Sequence, residues 1–173
     1  EVVRQWMKRH YDWQVDSKWL IKTPGIVYAL AMAVQAFTEE GDGVLIQQPV
    51  YYPFSEVIVD NGRKLVSNTL VQDESGRYGI DFADFEEKIV TEKIKLFFLC
   101  NPHNPVGKIW SREELDKIEE LCIKHDVILI SGEIHCDLTD PDVYYNPFKS
   151  CDNVVRCLSP SKSFNIAGFQ SSI

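Results

Sequence analysis

No apolar run in this chain approaches the length needed to cross a bilayer, and no charged-then-apolar leader opens it, so the protein is expected to be soluble. There is no Cys-x-x-Cys pair either. Cys100, Cys122, Cys136, Cys151 and Cys157 form an odd set without disulfide or metal spacing, and read as reduced thiols of a cytoplasmic protein. Positive charge is scarce: 18 Lys and Arg stand against 26 Asp and Glu, for a net charge of -8. A nucleic-acid groove or an anionic membrane surface would call for clustered Lys and Arg, so neither is expected as a partner. A small anion stays open, because backbone donors at a helix start hold phosphate whatever the net charge. Repeats, low-complexity tracts and flexible linkers are also absent, and 173 residues with 45% hydrophobic content suffice for one domain with a real core.

What is present is an alternation of apolar runs with helical patterns, which predicts an α/β fold with a mostly parallel sheet. A helical pattern is already under way at Val2, Val3, Trp6, Met7 and His10, the first residue is Glu1, and the chain stops at Ser171-Ser172-Ile173, where a further strand is expected. The chain is therefore read as a fragment. Strands are predicted over Trp19 to Lys22, Val44 to Gln48, Lys64 to Ser67, Ile94 to Cys100, Val127 to Ser131 and Val154 to Leu158. The run at 94–100 is apolar enough to be buried on both faces of a parallel sheet. Helices are predicted over Gly25 to Thr38, Tyr52 to Asp60, from Asp81 as cap to Ile89, and from Arg112 to His125, the last opened by a Ser111/Glu114 capping box. The polar stretch Val71 to Gly79 reads as a surface turn.

In an open parallel sheet the ligand crevice lies beyond the carboxyl ends of the strands. Four segments fall there. Thr23-Pro24-Gly25-Ile26-Val27 begins a helix, where unpaired N–H groups and a glycine let a phosphate approach; the plain reading is a helix start and no more. Pro49-Val50-Tyr51-Tyr52-Pro53-Phe54 offers a tyrosine that could lie against a planar ligand, or simply join the core. Asn101-Pro102-His103-Asn104-Pro105-Val106-Gly107 carries two Asn-Pro steps, whose restricted backbone can fix an asparagine amide in the crevice. Ser131-Gly132-Glu133-Ile134-His135-Cys136-Asp137 is the last of the four. His103, His135, Cys136 and Asp137 show no recognised metal spacing, and neighbours on an extended chain face opposite ways, so no metal is expected. Beyond these, Lys162 sits among small and hydroxyl residues after an apolar run. A lysine is nucleophilic only as the free amine, so a Schiff-base role calls for a partly buried, polar pocket.

These segments in this order, ending in Ser159-Pro160-Ser161-Lys162-Ser163-Phe164-Asn165-Ile166-Ala167-Gly168, resemble the large domain of fold-type I pyridoxal-phosphate enzymes, and within them the cystathionine β-lyase branch of the class I/II aminotransferase family. The resemblance covers almost the whole chain. It implies a three-layer α/β/α large domain, with residues 1–173 as part of that cofactor-binding domain and the small domain outside the chain. It implies pyridoxal 5'-phosphate as cofactor, with Lys162 bound to it and later shuttling the substrate α-proton. Ser159, Ser161 and the backbone at Gly25, Ile26 and Val27 would hold the phosphate, Tyr51 would stack on the ring, and Asn104 would bond its phenolic oxygen. His135 stands where many aminotransferases have a tyrosine. A homodimer acting on a small amino acid is implied too.

One position departs from the pattern: Gly132 stands where the family has an aspartate that pairs with the ring nitrogen. Glu133 is not expected to substitute, because adjacent strand residues face opposite ways. Three readings follow. The first is a carbon–sulfur lyase acting on cystathionine or a related conjugate by β-elimination; the second is an aminotransferase; the third is a non-catalytic cofactor-binding relative.

Overall fold

The computed structural model describes residues 1–140, 142–148 and 152–173. Cys151 lies outside them. Helix α1 spans Val2–Tyr11 and α2 Ile26–Phe37; β1 (Gly43–Gln48), α3 (Pro53–Asp60) and β2 (Lys64–Thr69) complete the first crossover. A small hairpin, β3 (Val71–Gln72) and β4 (Tyr78–Gly79), leads to α4 (Phe82–Thr91), β5 (Ile94–Cys100), α5 (Arg112–Lys124) and β6 (Ile128–Gly132). The last elements are β7 (Val154–Cys157) and the one-turn helix α6 (Pro160–Ser163).

The main sheet has the order β2-β1-β5-β6-β7, and every pairing in it is parallel. Strand β5 is buried at every position except Lys95, as a central strand covered on both faces must be. Its alternate residues enter two cores. Phe97 and Leu99 join Leu45, Leu129 and the buried residues of α4 and α5, among them Phe85, Leu115 and Ile118. Leu96, Phe98 and Cys100 join Val44, Ile46, Ile130 and the buried faces of α2 and α3. The result is the expected three-layer α/β/α arrangement. A third, smaller cluster packs Met7 of α1 and Val15 against Cys136, Tyr145 and Leu158.

Local signals explain most boundaries. Asp81 caps α4 by accepting from Ala83 and Asp84 N–H, and Ser111 with Glu114 forms the reciprocal box at the start of α5. Helix α3 stops at Asn61, followed by Gly62 at φ 73, a left-handed position that glycine takes without cost. Two expectations fail. Trp19 to Lys22 is not a strand: Asp16 caps a 3-10 turn at Ser17–Trp19, Trp19 and Ile21 stay 62% and 73% exposed, and pairing begins only at Thr23, which bridges Ser172. An apolar run with no neighbouring strand edge has no ladder to join. The stretch at 71–79 is a two-stranded hairpin rather than a turn alone, closed by Val71 opposite Gly79.

At the β6/β7 edge, Glu133 and Arg156 are almost wholly buried, with the guanidinium Nη2 donating to Oε2 at 2.6 Å and Nε to both oxygens at 3.0 Å. The same guanidinium lies over the rings of Trp13 at 4.2 Å and Tyr11 at 5.9 Å. Removing one member strands a buried charge. Arg156→Met is expected to lower stability by about 3–5 kcal/mol, read as a reduced urea midpoint, and the double variant Glu133→Leu/Arg156→Met is expected to recover most of that loss.

Candidate active site

The sheet order places a switch between β1 and β5: from β1 the chain crosses one way to β2, and on leaving β2 it returns past β1 to β5. Connections that diverge from one point open a crevice at the carboxyl ends of the strands. The segments after β1 and β5 are tied together at its mouth, where the His103 ring Nε2 lies 2.9 Å from the Pro49 carbonyl oxygen. Burial holds His103 below the usual imidazole pKa, so a neutral ring with a proton on Nε2 is the donor in that bond. The loop is further fixed by Trp110 Nε1 donating to the Cys100 carbonyl at 2.9 Å. Asn104 is half-buried, its backbone N–H directed to Cys100 Sγ at 3.4 Å. The other asparagine, Asn101, faces inward: its Nδ2 donates to the Asn146 carbonyl at 3.3 Å, while its buried Oδ1 has no partner.

Tyr51 stands at the crevice 40% exposed, its ring 5.4 Å from that of Tyr52 and edge-on to Phe54 at 6.5 Å. It is free on one face, so the ring is not core. Beneath it, β6 ends at Gly132. A Cβ there would meet Phe54 Cζ at 3.2 Å and the Leu99 carbonyl oxygen at 3.5 Å, so a side chain fits only if the Phe54 ring gives way slightly. Glu133 turns to the opposite side to meet Arg156, which leaves no carboxylate at the Gly132 position.

A second group of residues meets at the start of α2. The first intrahelical bond runs from Ala29 N–H to Gly25 O at 3.2 Å, so the N–H groups of Ile26 and Val27 precede the helical ladder. Gly25 itself has φ 108, outside the range of most side chains, and its N–H donates to Ser172 Oγ at 3.0 Å. Ser172 also lies 2.6 Å from Thr23 Oγ1. The adjacent Ser171 carbonyl accepts from Ser159 Oγ at 2.7 Å, and Ser159 in turn reaches Ser161 Oγ at 2.8 Å. Two buried hydroxyls and a helix start, 134 or more positions apart in sequence, are thus joined through residues 171–172. Such a cluster can hold a phosphate or another small anion.

Lys162 belongs to α6, the turn that also carries Ser161. The sequence argument expects it partly buried; here it is exposed, and among the described residues its amine makes no hydrogen bond or ion pair. One wall of the crevice is present, and nothing among the described residues covers the amine from the other side. His135, which caps the 3-10 turn Cys136–Leu138, is close enough to feel that charge: burial first, and then the Lys162 ammonium, hold its pKa below 6.5. The structure therefore joins Ser159 and Ser161 with Gly25, and the Tyr51 loop with the Asn104 loop, and leaves Lys162 near enough to His135 for its charge to be felt. No spacing in the sequence announces Thr23, Ser172 or His103 as the residues that make those joins. The thiols of Cys100, Cys136 and Cys157 are pushed up to about 11, about 12 and about 12 by burial, and are poor nucleophiles at neutral pH.

The model of the family "Aminotransferase class I and II" matches residues 1–171. The chain is 47% identical to cystathionine beta-lyase PatB of Bacillus subtilis over 177 residues, covering 99% of this chain and 46% of that protein. Its fold superposes with a TM-score of 0.94 on cystalysin from Treponema denticola, a structure containing pyridoxal 5'-phosphate, at 40% identity and over 98% of this chain and 44% of that one. A PLP-bound C-S lyase from Staphylococcus hominis gives the same TM-score at 37% identity, again over 98% of this chain and 44% of that one. The chain thus spans less than half the length of these relatives. The proximity of Lys162 and His135 is open to direct measurement: in the Lys162→Ala protein the His135 NMR titration midpoint is expected to rise toward 6.5, while staying below it because burial remains.

Proposed function

The chain belongs to the class I and II aminotransferase family, and we propose that the intact protein is a pyridoxal-phosphate-dependent carbon–sulfur β-lyase of the cystathionine β-lyase type. The observation that carries this reading is the grouping of an uncovered primary amine, Lys162, with His135 on one side and the Ser159/Ser161/Gly25 anion cradle on the other. The likeness to a cystathionine beta-lyase and a C-S lyase supports it. The residues present suit a planar, phosphorylated aldehyde: hydroxyls and helix N–H groups for the phosphate, a half-exposed ring for the plane, an amine for the aldehyde. When bound, the cofactor supplies an aldehyde that condenses with amines and a conjugated ring that withdraws electrons from the carbon they carry.

In this reading Ser159 and Ser161, with the backbone of Gly25, Ile26 and Val27, bind the phosphate and so set the depth of the ring. Tyr51 lies against the ring face. Asn104 would donate an amide hydrogen to the phenolic oxygen, and His135 would border that same oxygen. Lys162 Nζ would hold the cofactor through its aldehyde and would serve as the base for the substrate α-proton. The cofactor would supply the electron withdrawal that lets the β-carbon thiol depart. Residues 1–173 form part of the large, cofactor-binding domain, and the assembly is a cytoplasmic homodimer; these assignments rest on the family resemblance.

Amino-group transfer, the activity in the family's name, would use the same residues up to proton removal and differ in where the proton returns. The lyase is preferred because His135 stands where the resemblance implies a tyrosine in many aminotransferases and because two of the similar proteins described above are named as lyases. Incubation of the intact protein with cystathionine is expected to release pyruvate and ammonia without any added keto acid. Turnover that appears only with a keto acid would assign a transferase. Borohydride reduction after addition of pyridoxal phosphate is expected to label Lys162, located by peptide mass spectrometry.

A non-catalytic reading is favoured by one observation, the bare backbone at Gly132 with Glu133 committed to Arg156. Without a carboxylate there, the ring nitrogen keeps no counter-charge and draws electrons less strongly. Gly132→Asp, which the Phe54 ring accommodates by a small shift, is expected to raise lyase turnover by about tenfold or more. An inactive protein that stays inactive in this variant would be a binding protein.

A further inference from the structure

The carboxylate of Asp137 is the meeting point of three segments. Its Oδ2 accepts from Ser163 Oγ at 2.6 Å, and Ser163 directly follows Lys162 in α6. Its Oδ1 accepts from the Tyr11 hydroxyl and, at 3.4 Å, from Trp6 Nε1, both on α1. The neighbouring Cys136 thiol lies at 3.9 Å from the same oxygen. All these donors are neutral. Burial, together with the bond to Asp137, pushes the Tyr11 pKa well above its usual value, so the phenol keeps its proton and remains a donor. A second contact runs in parallel: Phe164, two residues past Lys162, packs edge-on to the Trp6 ring at 5.6 Å.

Helix α6 needs such support. With four residues it is a single turn, and a single turn is unstable on its own because the entropy of fixing it exceeds what one or two hydrogen bonds return. On the amino side of Lys162 the turn is held by Ser159 and Ser161. On the carboxyl side, the side-chain hydrogen bond that holds it is Ser163 to Asp137. Asp137 is also two residues from His135, so the same carboxylate ties the His135 segment to the turn that carries Lys162.

We propose that Asp137 is a positioning residue: it clamps Ser163 and thereby aims Lys162, using Tyr11 and Trp6 of α1 as its own footing. This rests on Lys162 being the cofactor-bearing lysine. It predicts that the clamp governs how fast Lys162 captures the cofactor, since a misdirected amine spends less time in reach of the aldehyde.

The test uses the intact protein stripped of cofactor, with pyridoxal phosphate added and capture followed by visible absorption, alongside thermal melting. Ser163→Ala, which removes the donor, and Asp137→Leu, which removes both acceptor oxygens, are expected to slow capture about tenfold. Ser163→Thr keeps the hydroxyl and is expected to capture within about twofold of the unaltered protein, with both Ser163 variants melting as it does. Equal rates in Ser163→Ala and Ser163→Thr would overturn the proposal, as would a slowing that merely follows a lowered melting temperature. Should Asp137→Leu fail to fold, the Ser163 pair decides. Borohydride labelling of the unaltered protein at another lysine would instead refute the assignment of Lys162, a failure distinct from an unchanged capture rate at a correctly labelled Lys162.

Discussion

The buried pairing of Glu133 with Arg156 is the constraint from which the rest of the site takes its orientation. A carboxylate and a guanidinium removed from water survive only when each finds the other in good geometry. Here the guanidinium forks over both carboxylate oxygens across the β6/β7 edge. Because side chains alternate along an extended segment, committing Glu133 to that side commits its neighbour Gly132 to the crevice side, against Phe54. The same cation lies on the ring of Trp13, which fixes the segment after α1 to the sheet edge. One ion pair therefore decides which face of the β6 terminus the ligand meets and where the amino-terminal helix docks.

The crevice is assembled from short connections, each tied by a residue outside the obvious motifs. His103 binds the β5 loop to the β1 loop through the Pro49 carbonyl. Ser172 binds the start of α2 to the end of the chain, and Ser171 continues that link to Ser159. Asp137 binds the Lys162 turn to α1. In each case a backbone or side-chain oxygen joins separate connections, so the loops keep their places although none belongs to a long regular element.

Much of the frame was legible in the residues. The run 94–100 is apolar at every position but Lys95, the near-continuous pattern of a strand with both faces covered. Ser111 and Glu114 announce α5 because their side chains satisfy the backbone donors at its start. Trp19 to Lys22 misled because β-branched and aromatic residues favour a strand only where a partner edge exists, and whether one exists is not written locally. Lys162 misled in another way: its small and hydroxyl neighbours fit a pocket, yet cover comes from whatever faces the turn, and none of the described residues does.

The sequence by itself determined the alternation of strands and helices, the caps that end them, and the types of chemistry available at the strand termini, because these depend on side-chain periodicity and on bonds between near neighbours. The tertiary structure alone decided the order β2-β1-β5-β6-β7, and with it the switch beside β1 and β5, the meeting of Gly25 with Ser159 through residues 171–172, and the clamp of Asp137 on Ser163. Those are contacts between residues from 12 to well over a hundred positions apart in the bonded pairs named. Long-range partners are selected by burial and by the satisfaction of polar groups over the whole packed core, and no local pattern records that choice.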